Sequence, residues 1–354
     1  MSAPRPLRIA QVAPMIEPVP PTRAGGTERV VADLGHALAG LGHEVTLFAA
    51  SDSTAALPRH GAHPSLSALI AQHGDVPPGV PGALEAGMLD DLRGRLDAFD
   101  IIHCHTEFAH AALLGPARKR SLTTLHWRAD QLDRQLFFQQ FPDLPIAAIS
   151  ARQARDVPAS NLAGVVHHGL DSARFTLAGA PGRALVFIGR MTDQKRPDRA
   201  IEIARLSHRP LKLAGGIDPG NPDYFRRAIE QHLGPTITHL GALDEMAKNR
   251  LFDDAAALLF PIDWPEPFGL VVIEAMARGV PVIAWPNGAV PELVEHGITG
   301  FIVQSEAEAA DAVAACGQLD RHVIRERFLQ RFTAERMAHD YLTIYRRLIQ
   351  NAGR

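Results

Sequence analysis

The sequence predicts an α/β protein built from two doubly wound parallel sheets, one in each half of the chain. Two observations support this prediction. Short, continuously apolar runs alternate with stretches of helical periodicity, which is the pattern of strands buried on both faces of a parallel sheet. The chain also has 354 residues, which is long for one hydrophobic core, and the alternation starts afresh after a linker-like stretch near the middle.

The first half opens with a predicted strand at 7–13, a helix at 27–43 and a second strand at 44–50. Apolar residues of the helix, among them Leu34 and Leu38, keep the spacing of one helical face. A strand, a helix and a strand within about 45 residues form a βαβ unit. Because such units join parallel strands, a parallel sheet is expected.

The rest of this half continues the pattern after an interruption. Residues 51–82 are rich in proline, glycine and histidine and predict a long surface loop. Buried strands are expected at 100–105, 122–126 and 146–150, with a helix between the first two. The stretch 165–171 is expected to close this half.

The second half starts after residues 176–183, which have the composition of a linker. We therefore expect one domain at 1–172 and another at 173–332. Five short buried strands are predicted at 184–190, 211–216, 237–241, 256–261 and 281–285. Doubly wound sheets bind ligands at the carboxyl ends of their strands, so we expect a site in a cleft between the two domains.

The composition argues against several classes of function. The chain is 46% hydrophobic and 21% charged with a net charge of −3, so it lacks the basic domain typical of nucleic-acid binding. Cys104 and Cys316 fit neither a disulfide nor a metal pattern, which suits a reducing cytoplasm. No apolar run approaches the ~18 residues of a membrane-spanning helix, and the first residues do not resemble a signal peptide. We expect a cytoplasmic protein without a nucleic-acid partner.

Two glutamates bracket the apolar stretch EPFGLVVIEAMA. Pro267 and Gly269 place Glu266 in a loop and start a helix near 268–270. Glu274 falls among apolar residues of that helix and should be buried, which costs on the order of several kcal/mol without a hydrogen-bonding partner. Because a carboxylate accepts two hydroxyl donors at once, the pair suits two diols, one of a sugar and one of a ribose. We predict that ligand hydroxyls satisfy Glu274.

Two loops carry groups suited to anions. Gly25 and Gly26 precede a helix N-terminus, where backbone amides and the helix dipole attract phosphate. Arg190 and Lys195 lie between a strand end and the next helix, and two cations there suit a diphosphate. Taken alone, each fragment fits an ordinary flexible or solvated loop about equally well.

The histidines give a weaker signal. His126 ends a predicted strand, where its ring could reach the site, although a lone histidine is more often structural. His103 and His105 alternate along one strand, but no carboxylate or cysteine completes a ligand set. We therefore expect no metal site, and the absence of Asp-x-Asp argues against a metal-held diphosphate.

Over nearly its whole length the chain resembles glycosyltransferase family 4, the retaining nucleotide-sugar-dependent enzymes with the GT-B fold of two Rossmann-like domains. The resemblance lies in GGTERVV, TLH, FIGRMTDQK and KLAGG, and above all in EPFGLVVIEAMARGVPVIAW. It implies a hexosyltransferase whose donor is a nucleotide diphosphate sugar, with UDP as the first expectation and GDP as the second. The implied acceptor is an unidentified hydroxyl compound, and no metal or other cofactor is implied.

The resemblance also implies roles for residues at matching positions. Arg190 and Lys195 would bind the diphosphate and stabilise charge on the leaving nucleotide. Glu274 would hold the ribose, whereas Glu266 and His126 would contact the donor sugar.

Backbone groups complete the implied site. They are the amides of Phe268, Gly269 and Leu270 near the donor sugar, the phosphate contacts of Gly25 and Gly26, and a base contact near Gly241–Leu243. The first domain would bind the acceptor, and a last helix within 333–354 would cross back onto that domain.

Two positions depart from the family pattern. Lys195 is followed by Arg196-Pro197 instead of the usual glycine, and His168-Gly169 replaces the usual Asn-Gly before the linker. No acidic residue is obviously placed as a nucleophile, so the resemblance implies a front-face displacement with retention. A nucleotide-sugar epimerase of the same architecture and a non-catalytic nucleotide-sugar-binding protein remain alternatives.

Overall fold

A computed structural model describes residues 5–22 and 25–353 of the chain. Arg23 and Ala24, in the predicted loop before the first helix, lie outside the described residues. The chain divides into two compact units. Unit 1 comprises the residues up to Asp171 together with those from Ala334 onward, and unit 2 comprises Ser172–Thr333.

Unit 1 contains a seven-stranded parallel sheet. Its strands are β1 (Arg8–Val12), β2 (Glu44–Phe48), β3 (Arg59–His60), β4 (Ile101–Cys104), β5 (Ser121–Thr124), β6 (Ile146–Ala148) and β7 (Leu162–Val165). Their order is β3-β2-β1-β4-β5-β6-β7, so the chain winds in opposite directions from β1 and β4. Every residue of β4 and β5 is buried, as expected for a sheet covered on both faces.

Helices connect these strands. They are α1 (Gly26–Gly40), α2 (Leu66–His73), α3 (Val80–Arg93), α4 (Ala109–Leu114), α5 (Leu132–Gln140) and α6 (Ala151–Ala154), with 3₁₀ turns at Leu96–Ala98 and Gly115–Arg120. The prediction of a long loop at 51–82 is wrong, because β3, α2 and the start of α3 lie within it. The Ser65 side chain caps α2 by accepting a hydrogen bond from the Ala68 amide. Residues 165–171, expected to close this half, mostly follow β7, a strand that was not predicted.

Unit 2 contains a six-stranded parallel sheet. Its strands are β8 (Ala184–Ile188), β9 (Leu211–Ala214), β10 (Ile237–His239), β11 (Ala255–Phe260), β12 (Val282–Ala284) and β13 (Gly300–Ile302). The order is β10-β9-β8-β11-β12-β13, so the winding direction changes between β8 and β11. All five predicted strands of this half are present, and β13 was not predicted.

Helices connect the strands of unit 2. They are α7 (Pro197–Leu206), α8 (Pro222–Ala228), α9 (Glu245–Asp253), α10 (Leu270–Ala277), α11 (Val290–Leu293), α12 (Glu306–Cys316) and α13 (Arg321–Arg331), with 3₁₀ turns at Ser172–Arg174 and Glu230–His232. Apolar residues of α7 and α12 join β8, β9 and β11 in one buried cluster. This packing holds the carboxyl ends of the strands in fixed positions.

The last helix, α14 (Ala334–Ala352), belongs to unit 1 and packs against α1. Its apolar residues repeat at helical spacing, and Tyr341 and Tyr345 are fully buried. No helix in the described part of the chain is both long enough and apolar enough to cross a membrane.

Both cysteines are buried and free of disulfides. Cys104 ends β4 in unit 1, and Cys316 ends α12 in unit 2. Burial raises the pKa of both thiols, to about 12 for Cys316.

Candidate active site

Three predicted site residues follow two neighbouring strands of unit 2. Arg190 and Lys195 lie in the loop after β8, and Glu266 lies in the loop after β11. Since the chain winds in opposite directions from these two strands, their carboxyl ends form the topological switch point of the sheet. Doubly wound domains bind their ligands at this point.

Glu266 lies at the centre of a small polar cluster. Its Oε2 accepts hydrogen bonds from Lys195 Nζ and from Trp264 Nε1, the latter at 2.6 Å. The Lys195 ammonium also lies 4.9 Å from the centroid of the Trp264 ring, close enough for a cation–π interaction. Within residues 5–22 and 25–353, Glu266 Oε1 accepts no hydrogen bond, so it can accept one from a ligand.

The loop after β12 fixes the backbone of Glu266. The Ala289 amide donates a hydrogen bond to the Glu266 carbonyl at 2.9 Å. The preceding residue, Gly288, has φ +60°, and a Cβ there would lie 2.1 Å from the Glu266 carbonyl oxygen. Only glycine allows so close an approach, so Gly288 supports the position of Glu266.

The two arginines after β8 differ in their surroundings. Arg190 is exposed, and its side chain makes no hydrogen bond or ion pair with the described chain. Arg196 pairs with Asp198 at 2.9 Å and with Asp263 at 3.1 Å, and these carboxylates raise its pKa. Arg190 is therefore the arginine of this loop that can bind an anion.

Arg196 also explains one departure from the family pattern. Its φ is +55°, in the left-handed region, where glycine is the least strained residue. A glycine at this position would adopt the conformation with less strain. In this chain the ion pairs of Arg196 with Asp198 and Asp263 hold the left-handed conformation with a side chain present.

Glu274 lies on α10, as predicted, but its surroundings correct the prediction. Lys248 of α9 donates hydrogen bonds to both carboxylate oxygens, at 2.8 and 3.0 Å. The Glu274 side chain is 14% exposed and is not fully buried. A lysine therefore satisfies this carboxylate without ligand hydroxyls. Sequence reasoning missed Lys248 because the pair joins two helices, 26 residues apart, that only the fold brings together.

The backbone sites of unit 2 lie along the same edge of its sheet. Gly269 has φ +104° and precedes α10, which starts at Leu270 as predicted and has no side-chain cap. Phe268 is buried beside it. Leu243 is half-buried in the loop between β10 and α9, immediately before Asp244, whose side chain caps α9 through the Ala247 amide.

Unit 1 has a cavity of about 560 Å³ lined by residues that follow β1, β4 and β5. Gly25, Gly26 and His126 all line it, so the structure brings these three predicted residues together. Unit 1 also changes its winding direction between β1 and β4, so this cavity lies at the switch point of the first sheet.

Four carboxylates that were not predicted line this cavity, those of Glu17, Glu28, Glu85 and Glu107, and two of them have raised pKa values. Glu28, in the first turn of α1, is only 4% exposed, and burial raises its pKa to about 7. Its Oε1 accepts a hydrogen bond from the Glu17 amide at 3.3 Å. Glu85 of α3 has one oxygen buried without a partner among the described residues, and burial and the charge of Glu107 raise its pKa. Both carboxyl groups can accept hydrogen bonds from a polar ligand.

His126 is held by other histidines. Its Nε2 lies 2.9 Å from His105 Nδ1, and its ring stacks on that of His168 with centroids 5.1 Å apart. Desolvation lowers the pKa of His126 to about 3, so the imidazole is neutral at physiological pH. Both ring nitrogens of His103 bond to other side chains, Tyr345 and Thr124.

The described residues contain no group of three or more His, Cys, Asp or Glu side chains that could hold a metal ion.

Two family models match the two halves of the chain. Residues 24–170 match Glycosyltransferase Family 4, and residues 176–320 match Glycosyl transferases group 1. The chain belongs to glycosyltransferase family 4. The two matched regions carry the cavity of unit 1 and the Glu266 cluster of unit 2, respectively.

Relatives of this family 4 protein support the assignment of the fold. D-inositol 3-phosphate glycosyltransferase of Streptomyces avermitilis is 28% identical over 87% of this chain and 79% of its own length. Two other relatives are matched over less of their lengths. These are a 41.2 kDa protein in the cps region of Klebsiella pneumoniae, matched over 46%, and D-inositol 3-phosphate glycosyltransferase of Streptomyces scabiei, matched over 39%. AviGT4, a glycosyltransferase involved in avilamycin A biosynthesis, superimposes with a TM-score of 0.75 at 24% identity over 98% of both chains. Anabaena HepE, solved with UDP and glucose, gives 0.68 at 20% identity over 95% of this chain and 98% of its own.

Proposed function

We propose that this chain is a retaining glycosyltransferase that moves a hexosyl unit from a nucleotide diphosphate sugar to a hydroxyl acceptor. The observation that supports this most directly is the Glu266 cluster at the switch point of unit 2. There a carboxylate with one free oxygen pairs with Lys195, and Arg190, in the same loop as Lys195, makes no ion pair with the described residues. A sugar hydroxyl and a diphosphate need these complementary groups.

The chemistry assigns a role to each charge. Breaking the anomeric C–O bond builds positive charge on the sugar and negative charge on the departing diphosphate. Fixed cations placed where the negative charge develops lower the barrier. The Lys195 ammonium has three donors and uses one on Glu266, so two can bind phosphate oxygens, and Arg190 supplies a second cation. Glu266 Oε1 accepts a hydrogen bond from a hydroxyl of the donor sugar.

The nucleoside part of the donor is assigned to the Glu274–Lys248 pair and the loop at Leu243. A carboxylate accepts hydrogen bonds from the two vicinal hydroxyls of a ribose, and the lysine holds that carboxylate in place. Phe268, Gly269 and Leu270 supply backbone at the start of α10. UDP is the first choice of nucleotide, supported by the UDP complex of HepE, and GDP is the second.

Unit 1 is assigned the acceptor. Its cavity of about 560 Å³ has room for a sugar-sized compound, and Glu28 and Glu85 present carboxyl oxygens to hydroxyl groups. Gly25 and Gly26 allow close approach of a phosphate to backbone, and His126 contacts the donor sugar.

Retention is proposed to follow from a front-face displacement. Both oxygens of Glu266 are assigned to binding, Oε2 to Lys195 and Trp264 and Oε1 to a hydroxyl of the donor sugar, so no nucleophilic step is assigned to this carboxylate. The leaving phosphate takes the proton of the acceptor hydroxyl as the new glycosidic bond forms. NMR of the first product formed from a UDP-sugar would show the same anomeric configuration as the donor, and an inverted product would contradict retention.

Calorimetric titration with UDP, GDP, ADP and dTDP in the presence of EDTA tests the donor site. We expect one nucleotide to bind without metal, and Lys195→Met to weaken that binding about tenfold or more. Lys212→Met is the matched control, because Lys212 pairs with Asp254 on the surface of the same unit. Binding that requires magnesium would contradict the metal-free site, and no binding at all would contradict the donor assignment.

A further inference from the structure

A chain of hydrogen bonds runs through the interior of unit 1 from α14 to His126. Gln11 Nε2 donates to the Tyr345 hydroxyl at 3.2 Å, and Gln11 Oε1 lies 2.8 Å from His105 Nε2. His105 Nδ1 in turn lies 2.9 Å from His126 Nε2. Gln11, His105 and Tyr345 are at most 3% exposed, so water does not compete for these groups.

The donors and acceptors among these groups fix the direction in which the hydrogen bonds of this series run. An amide oxygen can only accept, so the proton of His105 must be on Nε2, facing Gln11. Because a neutral imidazole carries one N–H, His105 Nδ1 is then an acceptor, and the proton of His126 must be on Nε2, facing His105. His126 Nδ1 is left with a lone pair. Burial keeps the pKa of both histidines well below the usual range, which preserves the neutral forms.

The hydrogen bonds at Tyr345 and His103 agree with this direction. Tyr345 accepts from Gln11, so its hydroxyl proton is free to be donated to His103 Nδ1 at 2.6 Å. His103 Nε2 then carries a proton and donates to Thr124 Oγ1 at 2.7 Å. Each of these buried nitrogens and hydroxyls therefore has a partner of the right kind.

We propose that Gln11 and His105 are positioning residues that hold His126 as a neutral imidazole with Nδ1 as a hydrogen-bond acceptor. The inference rests on the proposed function, in which His126 contacts the donor sugar. It adds a requirement on the substrate: the group that meets His126 Nδ1 is a donor, such as a sugar hydroxyl. A carboxylate at that position, as in a uronic acid, would meet a lone pair and be rejected.

The position of the proton on His126 can be measured directly. Long-range ¹H–¹⁵N NMR of histidine-labelled protein separates the two neutral tautomers, and His126→Asn identifies the signals of His126. We expect His126 in the wild type to be protonated on Nε2. Protonation on Nδ1 would mean that all hydrogen bonds from Gln11 to His126 run in the opposite direction, with the Gln11 amide flipped, and would overturn the proposal.

Gln11→Leu removes the acceptor that sets the direction. We expect the His126 signals to move to a mixture of tautomers, and turnover to fall about ten- to hundredfold, the loss common when the partner of an oriented histidine is removed. Thr123→Val is the matched control. It breaks an equally buried hydrogen bond, 2.8 Å between Thr123 Oγ1 and His110 Nε2, which is not part of the hydrogen-bond chain that ends at His126. An unchanged His126 tautomer in Gln11→Leu would overturn the proposal, and so would an equal change in Thr123→Val.

The wild-type spectrum decides the direction by itself if Gln11→Leu does not fold. Hydrolysis of UDP-glucose and binding of UDP are measured alongside. If the wild-type protein does not bind UDP, the proposed function is refuted, but the tautomer of His126 is still established by the spectrum.

Discussion

Glu28 makes the stability of unit 1 depend on pH. Burial raises its folded-state pKa from 4.5 to about 7, so between these values the folded chain holds a proton that the unfolded chain has lost. The free energy of unfolding therefore falls as pH rises through this range. The upper limit of the change is about 3 kcal/mol, since each pKa unit is worth about 1.4 kcal/mol.

Glu28→Gln should remove this dependence, because a neutral amide does not titrate. Urea unfolding of wild type and variant at pH 5 and pH 8 measures it. We expect the variant to gain stability relative to wild type at pH 8 and to gain little at pH 5. Glu44→Gln, at the exposed start of β2, serves as the control. Equal pH slopes for wild type and Glu28→Gln would contradict the assignment.

The Glu274–Lys248 pair should act as one unit in nucleotide binding. Glu274→Ala removes the carboxylate assigned to the ribose, and Lys248→Met leaves that carboxylate without its partner. We expect each change to weaken binding of UDP about tenfold, and the double variant to lose less than the sum because the residues are in contact. Calorimetry measures all three.

The exposed Glu202→Ala on α7 is the control for this cycle. Wild-type affinity in Glu274→Ala would refute the ribose assignment. Additive losses would show that Lys248 and Glu274 bind the ligand independently.

Single residues were predictable where their role depends on local sequence. Glu266 and Gly269 follow directly from the interruption by Pro267, and the helix starts where the pattern places it. Lys248 was not predictable, because nothing near it in the sequence indicates Glu274 as its partner. Glu28 lies within GGTERVV but reads as an ordinary exposed helix residue until the fold buries it.

Among the connecting elements, the loop between β12 and α11 should tolerate no side chain at Gly288. Gly288→Ala would place a Cβ 2.1 Å from the Glu266 carbonyl oxygen at a positive φ, so either this loop or Glu266 must move. We expect a loss of about 1–3 kcal/mol of stability and a lower rate of donor hydrolysis. Urea unfolding and a UDP-glucose hydrolysis assay measure the two effects.

Gly234→Ala is the control, because a Cβ there meets no atom within 4 Å. A Gly288→Ala variant with normal stability and normal hydrolysis would show that the contact does not hold Glu266.

Most strands of both sheets were predictable because parallel strands buried on two faces read as short apolar runs, but β3, β7 and β13 were not predicted. Two kinds of element were missed. The stretch 51–82 contains α2, which has no buried residue, and the start of α3, whose helical pattern is broken by proline and glycine. β13 follows a turn at Gly297 and has three residues, and a run of three is too short to show a period.

At the scale of the whole molecule, α14 returns the end of the chain to unit 1 through two buried tyrosines. Tyr345→Phe would remove the hydroxyl that His103 Nδ1 and the Gln11 amide share, and would leave these two groups only their long 3.4 Å contact with each other. We expect unit 1 to lose about 1–3 kcal/mol, because buried polar groups lose a short hydrogen bond. Hydrogen exchange with peptide resolution should show faster exchange in β1 and β4 and unchanged exchange in unit 2.

The remaining tyrosine outside α14 provides the control. Tyr224 donates a hydrogen bond to Asp198 at 2.7 Å in unit 2, so Tyr224→Phe should change exchange only in that unit. Equal effects of Tyr345→Phe on both units would show that α14 does not act on unit 1 alone.

The burial of Cys104 and Cys316 also makes the chain a convenient carrier of reporter groups. A thiol that is buried and has a raised pKa contains almost no thiolate at neutral pH, and the thiolate is the form that reacts with maleimides. A cysteine introduced at one exposed position in each unit would then take up dye or spin label selectively, with both native cysteines left in place. Distances between such labels, recorded with and without UDP, would follow the two units through a catalytic cycle.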